Sequence, residues 1–272
     1  MIDKKNILGV GITNATQKDI LEYIIKNIEN SNKKLFVVTP NPEILVLANK
    51  NPEFKKVLNR ADLASADGIG VLLAAKILGR TLKERFAGVD LVESLCKEVV
   101  KKPITVGFLG GRDNVAERTA ECLGTKYASL KIVFAAPEWP SELKVENGKL
   151  KIENDTKKNS QLLPPCPSEP WRSGANSQLY IDILFVAYGA PKQEMWISEN
   201  LDKIPVKVAI GVGGSFDYIS GNIQRAPLFI RSIGFEWLFR LLIQPWRIKR
   251  QLALLEFAFL VLREKLALKN RI

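Results

Sequence analysis

The chain has 272 residues, enough for one large domain or for one domain with an appendage. Its 40 Lys and Arg outnumber 29 Asp and Glu, and the net charge of +11 predicts an anionic partner. The absence of histidine excludes Ser-His-Asp and Cys-His catalysis and histidine-based zinc sites. No Asp-x-Asp pair is present either, so neither a metal nor another cofactor is predicted. If the chain is an enzyme, its proton acceptor should be a carboxylate.

Two features of the sequence indicate the compartment. The N-terminal "MIDKKNILGVGI" lacks the apolar region of a signal peptide, and no stretch approaches the ~20 apolar residues that span a bilayer. The three cysteines, Cys96, Cys122 and Cys166, are widely spaced and form no C-x-x-C pair, which is typical of a reducing compartment. We therefore expect a cytoplasmic protein.

Four short apolar runs alternate with helical patterns along the chain. They are "KLFVVTP", "ITVGFLGG", "IDILFVAYG" and "VKVAIGVGG". Each is apolar throughout and ends in Gly or Pro, as expected of strands buried on both faces. The alternation predicts an α/β fold with a Rossmann-like, doubly wound, mostly parallel sheet. Because ligands bind outside the carboxyl ends of such strands, the polar residues that follow each run should converge on one crevice.

Two later segments depart from this alternation. Residues from about 140 to 180 show little periodicity and many Pro, Ser, Asn and Lys, which predicts an atypical surface loop without chemistry. After Gly221, two amphipathic helical patterns are separated by Pro245. We therefore predict a catalytic core of residues 1–221 and a helical appendage of residues 222–272. Most of the excess positive charge lies in this appendage, which has ten Lys and Arg but only three Glu after residue 224.

The first candidate site residues are polar residues that precede predicted helices. Thr39 and Asn41 in "VVTPNPEI" point polar groups toward the predicted crevice, although a capped strand-to-helix corner explains them equally well. Asp67 in "LASADGIG" is either the cap of the following helix or a carboxylate with room for a substrate hydroxyl. The lack of histidine favours the second interpretation.

Glycine-rich turns supply the next candidates. The Gly110-Gly111 pair and the "GVGGSFD" turn that ends at Asp217 suit a phosphate, because such turns present backbone N–H groups. Ordinary tight turns explain both stretches too, and neither matches the dinucleotide fingerprint G-x-G-x-x-G. Gln193 in "AYGAPKQEMW" is placed to bind sugar hydroxyls, unless it is simply an exposed polar residue at a helix start.

Several motifs, taken in order, carry a family resemblance. "TPNPE", "ASADGIGV", "ERFAGVDL", "FLGG", "VAYGAPKQE", "GVGGSFDYISG", "RAP", "GFEWLFRL" and "QPWRIKRQ" closely resemble the WecG/TagA/CpsF glycosyltransferases, over nearly the whole chain except about 140–180. The resemblance implies an inverting, metal-independent transfer from a UDP-sugar donor to an undecaprenyl-diphosphate-linked acceptor. Within the family, the chain most resembles the members of wall teichoic acid synthesis. That resemblance implies UDP-N-acetylmannosamine as the donor and N-acetylglucosamine on the acceptor.

The resemblance also implies roles for particular residues. They are Asp67 as general base, Thr39, Gln193 and Arg85 as active-site residues, and Arg240, Arg247 and Arg250 as ligands of the substrate diphosphate. We assign Asn41, Gly110, Gly111 and Asp217 to the nucleotide. The loop at about 140–180 departs from the family pattern, so the geometry that leads into "DILFVAYG" is not predicted by the resemblance.

The basic appendage has several possible uses. A Lys- and Arg-rich helix with Trp and Leu on its other face is typical of an interfacial helix, which places the protein on the inner face of the cell membrane. The same helices would also suit packing on the sheet or a homo-oligomer interface.

The sequence also allows two alternatives to a glycosyltransferase. A non-enzymatic protein that binds membrane surfaces or nucleic acid would use the basic tail, but nucleic acid is disfavoured because the tail's aromatic residues follow a helical period and form no stacking platform. A nucleotide-dependent oxidoreductase is disfavoured by the missing dinucleotide fingerprint.

Overall fold

The computed structural model describes residues 2–140, 143–146, 149–152 and 180–270, and these contain ten strands and eleven α-helices. The strands are β1 (Lys4–Ile7), β2 (Val10–Thr13), β3 (Leu35–Val38), β4 (Leu63–Ala64), β5 (Thr105–Gly110), β6 (Lys131–Ala136), β7 (Leu143–Glu146), β8 (Lys149–Ile152), β9 (Ile181–Ala187) and β10 (Val206–Gly211). The helices are α1 (Gln17–Asn30), α2 (Pro42–Lys50), α3 (Pro52–Arg60), α4 (Ile69–Ile77), α5 (Gly88–Val99), α6 (Val115–Lys126), α7 (Lys192–Asn200), α8 (Ser215–Ile219), α9 (Leu228–Ser232), α10 (Glu236–Ile243) and α11 (Ile248–Lys269).

Six of these strands form a parallel sheet in the order β4-β3-β10-β9-β5-β6. Alternate side chains along each strand enter two different apolar clusters. In β3, Leu35 and Val37 join one cluster while Phe36 and Val38 join the other. Helices α1, α5, α6 and α8 cover the first cluster, and α2, α3, α4, α7 and α11 cover the second. The predicted α/β, Rossmann-like, doubly wound sheet with a C-terminal helical part is therefore confirmed.

The segment at about 140–180 contains a hairpin that the sequence interpretation missed. Strands β7 and β8 pair antiparallel, with Leu143 opposite Ile152. Expecting no regular structure was wrong for these residues, because "LKVENGKLKI" alternates apolar and polar residues around an Asn-Gly pair, a strong hairpin signal. The rest of the predicted loop, residues 153–179, lies outside the described residues.

The C-terminal helices break at Pro245, as the sequence predicts. A 3-10 turn over Pro245–Arg247 separates α10 from α11. The division into domains at residue 221 stays a prediction. In the described part of the chain, no helix has the length and hydropathy of a bilayer-spanning segment.

Helix α11 has two apolar faces. One face is buried against the core through Phe257, Leu260 and Val261, and it packs mainly on α2 and also on α4. A second face stays exposed. Its members are Leu252, Leu255, Phe259, Leu262 and Leu266.

Three ion pairs join the buried side of α11 to the core. Their partners are Arg250 with Glu43, Glu256 with Lys50, and Glu264 with Arg80. Exposed ion pairs typically contribute only about 0–1 kcal/mol each, so the apolar face supplies most of the attachment.

The attachment of α11 can be tested with a matched pair of phenylalanines. Phe257 is 6% exposed and Phe259 is 63% exposed, one on each apolar face. We expect Phe257→Ala to weaken docking by about 3 kcal/mol, because a buried Phe is lost, and so to speed amide exchange in α11 roughly 100-fold. Hydrogen-exchange mass spectrometry measures this rate. Phe259→Ala should leave it nearly unchanged, and equal effects of the two substitutions would contradict the packing.

Candidate active site

An open crevice of about 1700 Å³ lies at the carboxyl ends of the sheet strands. Residues after β3, β4, β9 and β10 line it from the core, and α10 and α11 line it from the C-terminal side. Ten of the eleven predicted site residues are among its lining residues, and Gly110 is not. The strands therefore bring together side chains that are far apart in sequence, as a doubly wound sheet requires.

Asp67 lines this crevice three residues beyond the end of β4. Its backbone N–H donates to the carbonyl of Pro40 at 2.9 Å. Helix α4 begins at Ile69, with Gly68 as the residue before it at a φ of 97°. The Asp67 carboxylate instead accepts from the N–H of Gly88, the first residue of α5, at 3.3 Å. The alternative that Asp67 merely caps α4 is therefore wrong.

Gly88 is a residue that the sequence interpretation quoted within "ERFAGVDL" but did not single out. A Cβ at this position would lie 2.9 Å from Ser215 Oγ and 3.2 Å from the Val212 carbonyl oxygen. Only glycine lets the start of α5 approach the β10 turn this closely. The lack of a side chain at Gly88 thus allows its N–H to reach the Asp67 carboxylate. This close approach exists only in the folded chain, so no sequence pattern marks it.

The surroundings of Asp67 make its carboxylate unusually basic. Burial raises the pKa of Asp67 to about 6, and the negative charges of Glu236 and Asp90 act in the same direction. The Gly88 N–H and the Arg85 guanidinium oppose this rise. Asp67 is therefore mostly ionised at neutral pH and is a stronger base than an exposed aspartate.

A partly buried arginine, Arg225, binds the two carboxylates near Asp67. Arg225 donates to both oxygens of Asp90, at 2.7 and 2.8 Å, and through Nε to Glu236 at 3.1 Å. Asp90 belongs to α5 and Glu236 to α10, so Arg225 connects the core to the C-terminal helices. Arg85 adds a second connection, donating to the carbonyl of Arg231 at 2.7 Å.

Thr39 and Gln193 line the crevice, but their side chains form hydrogen bonds with other groups of the protein. Thr39 Oγ1 donates to the carbonyl of Gly211 at 2.8 Å, which ties β3 to β10. Gln193 Oε1 accepts from the N–H groups of Gly189 and Gly213, at 3.1 and 2.9 Å. Its Nε2 donates to the buried Glu194 at 2.8 Å. Gln193 is thus buried, contrary to the interpretation of an exposed helix start, and both residues fix the turns around the site.

The predicted nucleotide residues are also engaged locally. Asn41 Oδ1 accepts from the N–H of Ile44 at 2.9 Å, so Asn41 caps α2, whereas the alternative from the sequence expected Thr39 to be the cap of this corner. Gly110 and Gly111 have φ values of 103° and 83°, and the Gly111 N–H donates to the Ala187 carbonyl at 3.2 Å. That pair therefore ends β5 and begins the turn toward α6, and the Gly111 N–H is already used in a bond to the end of β9.

The three predicted arginines of the appendage converge on the crevice. The Arg240 guanidinium lies over the Tyr218 ring, 4.8 Å from its centroid. Arg240 Nε and Arg247 share Gln244 Oε1, at 3.3 and 3.5 Å. Burial, together with the nearby charges of Arg240 and Arg250, lowers the pKa of Arg247 to about 10. Tyr218 and Gln244 were missed from sequence, because their contact with arginine exists only after folding.

Two carboxylates lie near this arginine cluster. Glu43 Oε2 accepts from Arg250 Nη2 at 2.6 Å. Burial raises the pKa of Asp217, and the charges of Arg240 and Arg247 oppose the rise. Neither carboxylate is within ion-pair distance of Arg247 among the described residues. An anionic group that entered here would relieve the mutual repulsion of the arginines. Within the described ranges there is no group of three metal-ligating side chains.

Comparison with known proteins agrees with this geometry. The model of the glycosyl transferase WecG/TagA/CpsF family matches residues 5–154 and 175–271. The chain belongs to this family of glycosyltransferases. A non-enzymatic protein and an oxidoreductase, the two alternatives from the sequence, are therefore set aside.

Curated members of the WecG/TagA/CpsF family are similar over most of the chain. One from Bacillus spizizenii is 33% identical, covering 88% of this chain and 82% of its own. One from Bacillus subtilis is 28% identical, covering 96% and 92%. One from Staphylococcus aureus is 30% identical, covering 98% and 95%. Each is named N-acetylglucosaminyldiphosphoundecaprenol N-acetyl-beta-D-mannosaminyltransferase.

The basicity of Asp67 in this glycosyltransferase is measurable by carboxyl-detected NMR. We expect the Asp67 carboxyl to titrate at about pH 6. Glu236→Gln should lower this pKa, because a nearby negative charge is lost. Asp67→Asn should abolish the titration. An Asp67 pKa near 4 would contradict the proposed burial of the carboxylate.

Proposed function

We propose that this glycosyltransferase moves N-acetylmannosamine from UDP-N-acetylmannosamine to N-acetylglucosamine linked to undecaprenyl diphosphate. The transfer inverts the anomeric centre, needs no metal, and belongs to wall teichoic acid linkage-unit synthesis. The printed names of the relatives support the sugar and the acceptor. The observation that carries the proposal is a basic carboxylate, Asp67, in one crevice with Arg240, Arg247 and Arg250.

Asp67 is the general base of this proposal. It removes the proton from the acceptor hydroxyl while that oxygen attacks the anomeric carbon from the face opposite UDP. The bond from the anomeric carbon to the UDP oxygen breaks in the same step, and UDP leaves with the electron pair. A base with a pKa of about 6 is well matched to neutral pH, because it is ionised and still accepts a proton readily.

The arginine cluster stabilises the diphosphates in this proposal. Arginine stays charged at neutral pH and offers a planar fork to phosphate oxygens. Burial and the neighbouring charges of Arg240 and Arg250 both disfavour the charged form of Arg247 and lower its pKa, and a bound diphosphate would compensate its charge. Charge that develops on the leaving UDP is therefore met by groups already in place.

The remaining predicted residues divide into supports and substrate contacts. Thr39 and Gln193 act by holding the β10 turn, since their polar groups have protein partners. Arg85 serves as a cation near Asp67. Of the residues assigned to the nucleotide from sequence, Asn41, Gly111 and Asp217 lie against it in the crevice, and Gly110, which does not line the crevice, acts only through the shape of its turn.

The exposed apolar face of α11 supports a position on the inner face of the cell membrane. A lipid-linked acceptor stays in the bilayer, so the enzyme must reach the membrane surface. Leu255, Phe259 and Leu266 offer apolar area, and each basic residue near an anionic surface adds roughly 1 kcal/mol of attraction. The same face would also suit a homo-oligomer, which is the competing use of these residues.

The decisive experiment on the base is Asp67→Asn, which keeps the shape but removes the proton acceptor. We expect turnover to fall at least ~100-fold, with UDP binding retained. The variant should fold at least as stably as the wild type, because ionising a buried carboxylate is unfavourable. UDP release with a lipid-diphosphate acceptor measures turnover, over a panel of UDP sugars with and without chelator.

Asp202→Asn is the matched control for this substitution. Asp202 is exposed and lies in the turn before β10, at the opposite end of that strand from the crevice. Its loss should leave turnover unchanged. Near-normal turnover of Asp67→Asn would reduce Asp67 to a structural partner of Gly88 and remove the proposed mechanism.

Membrane attachment is tested by sedimentation with vesicles that contain anionic lipid. Phe259→Gln together with Leu266→Gln should weaken binding at least ~10-fold, because two apolar side chains no longer enter the interface. Tyr180→Gln, an exposed aromatic at the start of β9, should bind normally. If the double variant instead loses an oligomer in light scattering and binds vesicles normally, the exposed face is a subunit interface.

A further inference from the structure

The crevice continues beyond Asp67 as an apolar groove between α4 and α11. We define the α4–α11 groove by six of the apolar residues that line the crevice from these two helices, three on each helix at a spacing of four residues. They are Ile69, Leu73 and Ile77 on α4 and Leu254, Ala258 and Leu262 on α11. None of them has a part in the proton transfer or the diphosphate contacts described above.

Helix geometry makes each set of three a continuous wall. Residues four apart lie on one face of a helix, one turn above another. The first and last residues of each set are eight positions apart, and a rise of 1.5 Å per residue gives walls of about 12 Å. The groove is therefore an elongated apolar channel along the helices and not a scattering of exposed side chains.

The groove begins at the charged part of the site. Asp67 lies two residues before the start of α4, and Arg250 lies in the first turn of α11. At the far end, Arg80 follows α4 and pairs with Glu264 of α11. Both helices therefore run away from the arginine cluster in the same direction, so the apolar walls start where a bound diphosphate would end.

Large aliphatic side chains in the groove lack protein partners over much of their surface. Leu73, Ile77 and Leu262 are 52%, 43% and 55% exposed. A contiguous apolar surface of this kind usually marks a binding site. Leu262 belongs both to the groove and to the exposed face of α11, so the groove opens onto the surface proposed to meet the membrane.

We propose that the α4–α11 groove binds the first isoprene units of the acceptor's prenyl chain. Cations at one end and aliphatic walls beyond them complement a molecule that joins a diphosphate directly to a hydrocarbon chain. The open end at Leu262 passes the rest of the chain to the bilayer. This inference rests on the proposed function, because it takes the acceptor to be a prenyl diphosphate.

A soluble probe separates chain binding from sugar transfer. Farnesyl diphosphate, below the concentration at which it forms micelles, is compared with inorganic diphosphate by titration calorimetry. We expect the wild type to bind farnesyl diphosphate at least ~10-fold more tightly, because apolar area is buried along the groove. Leu73→Gln together with Ile77→Gln should remove this preference while leaving the affinity for inorganic diphosphate unchanged.

Leu255→Gln is the matched control, since Leu255 is 71% exposed on α11 and does not line the groove. It should keep the full preference, and circular dichroism checks that all variants are folded. Equal binding of the two ligands by the wild type would overturn the groove proposal, and so would a preference that survives the α4 substitutions. A retained preference in a wild type that transfers no sugar would count against the proposed function alone.

Discussion

The packing of α11 on the core is the contact on which the rest of the site depends. Phe257, Leu260 and Val261 bury one face of this helix in the cluster that covers the sheet. This apolar contact brings Arg247 and Arg250 to the same crevice as the carboxylate of Asp67. The ion pairs along the helix contribute little energy individually, and they set its register on α2 and α4. The cations of the site are therefore positioned by a hydrophobic contact.

Behind the groups that face the crevice lies a layer of internal hydrogen bonds. Thr39 joins β3 to β10, and Gln193 joins the turns that follow β9 and β10. Gly88 brings the first N–H of α5 to Asp67. These groups are satisfied before any ligand arrives, so the base and the arginines need little rearrangement on binding.

The two halves of the site are also coupled electrostatically. Glu236 belongs to α10, and its charge contributes to the raised pKa of Asp67. Arg225 holds Glu236 beside Asp90 of the core. The basicity of the proposed base therefore depends on the C-terminal helices being docked. A displacement of α10 would change the pKa of Asp67 as well as remove Arg240 from the crevice.

The sequence by itself determined the sheet and the location of the crevice. Strands that are apolar throughout must be buried on both faces, and parallel strands end at one edge, which placed Thr39 and Gln193 together. Asp67 joins them through β4, a two-residue strand that the sequence pattern does not predict. Only the tertiary structure decided which polar groups remain available. The side-chain oxygens of Asn41 and Gln193 accept hydrogen bonds from backbone N–H groups of turns or neighbouring elements. Only the tertiary structure also decided that α11 buries one apolar face and exposes another. Which face is buried depends on the surface of the core that the helix contacts.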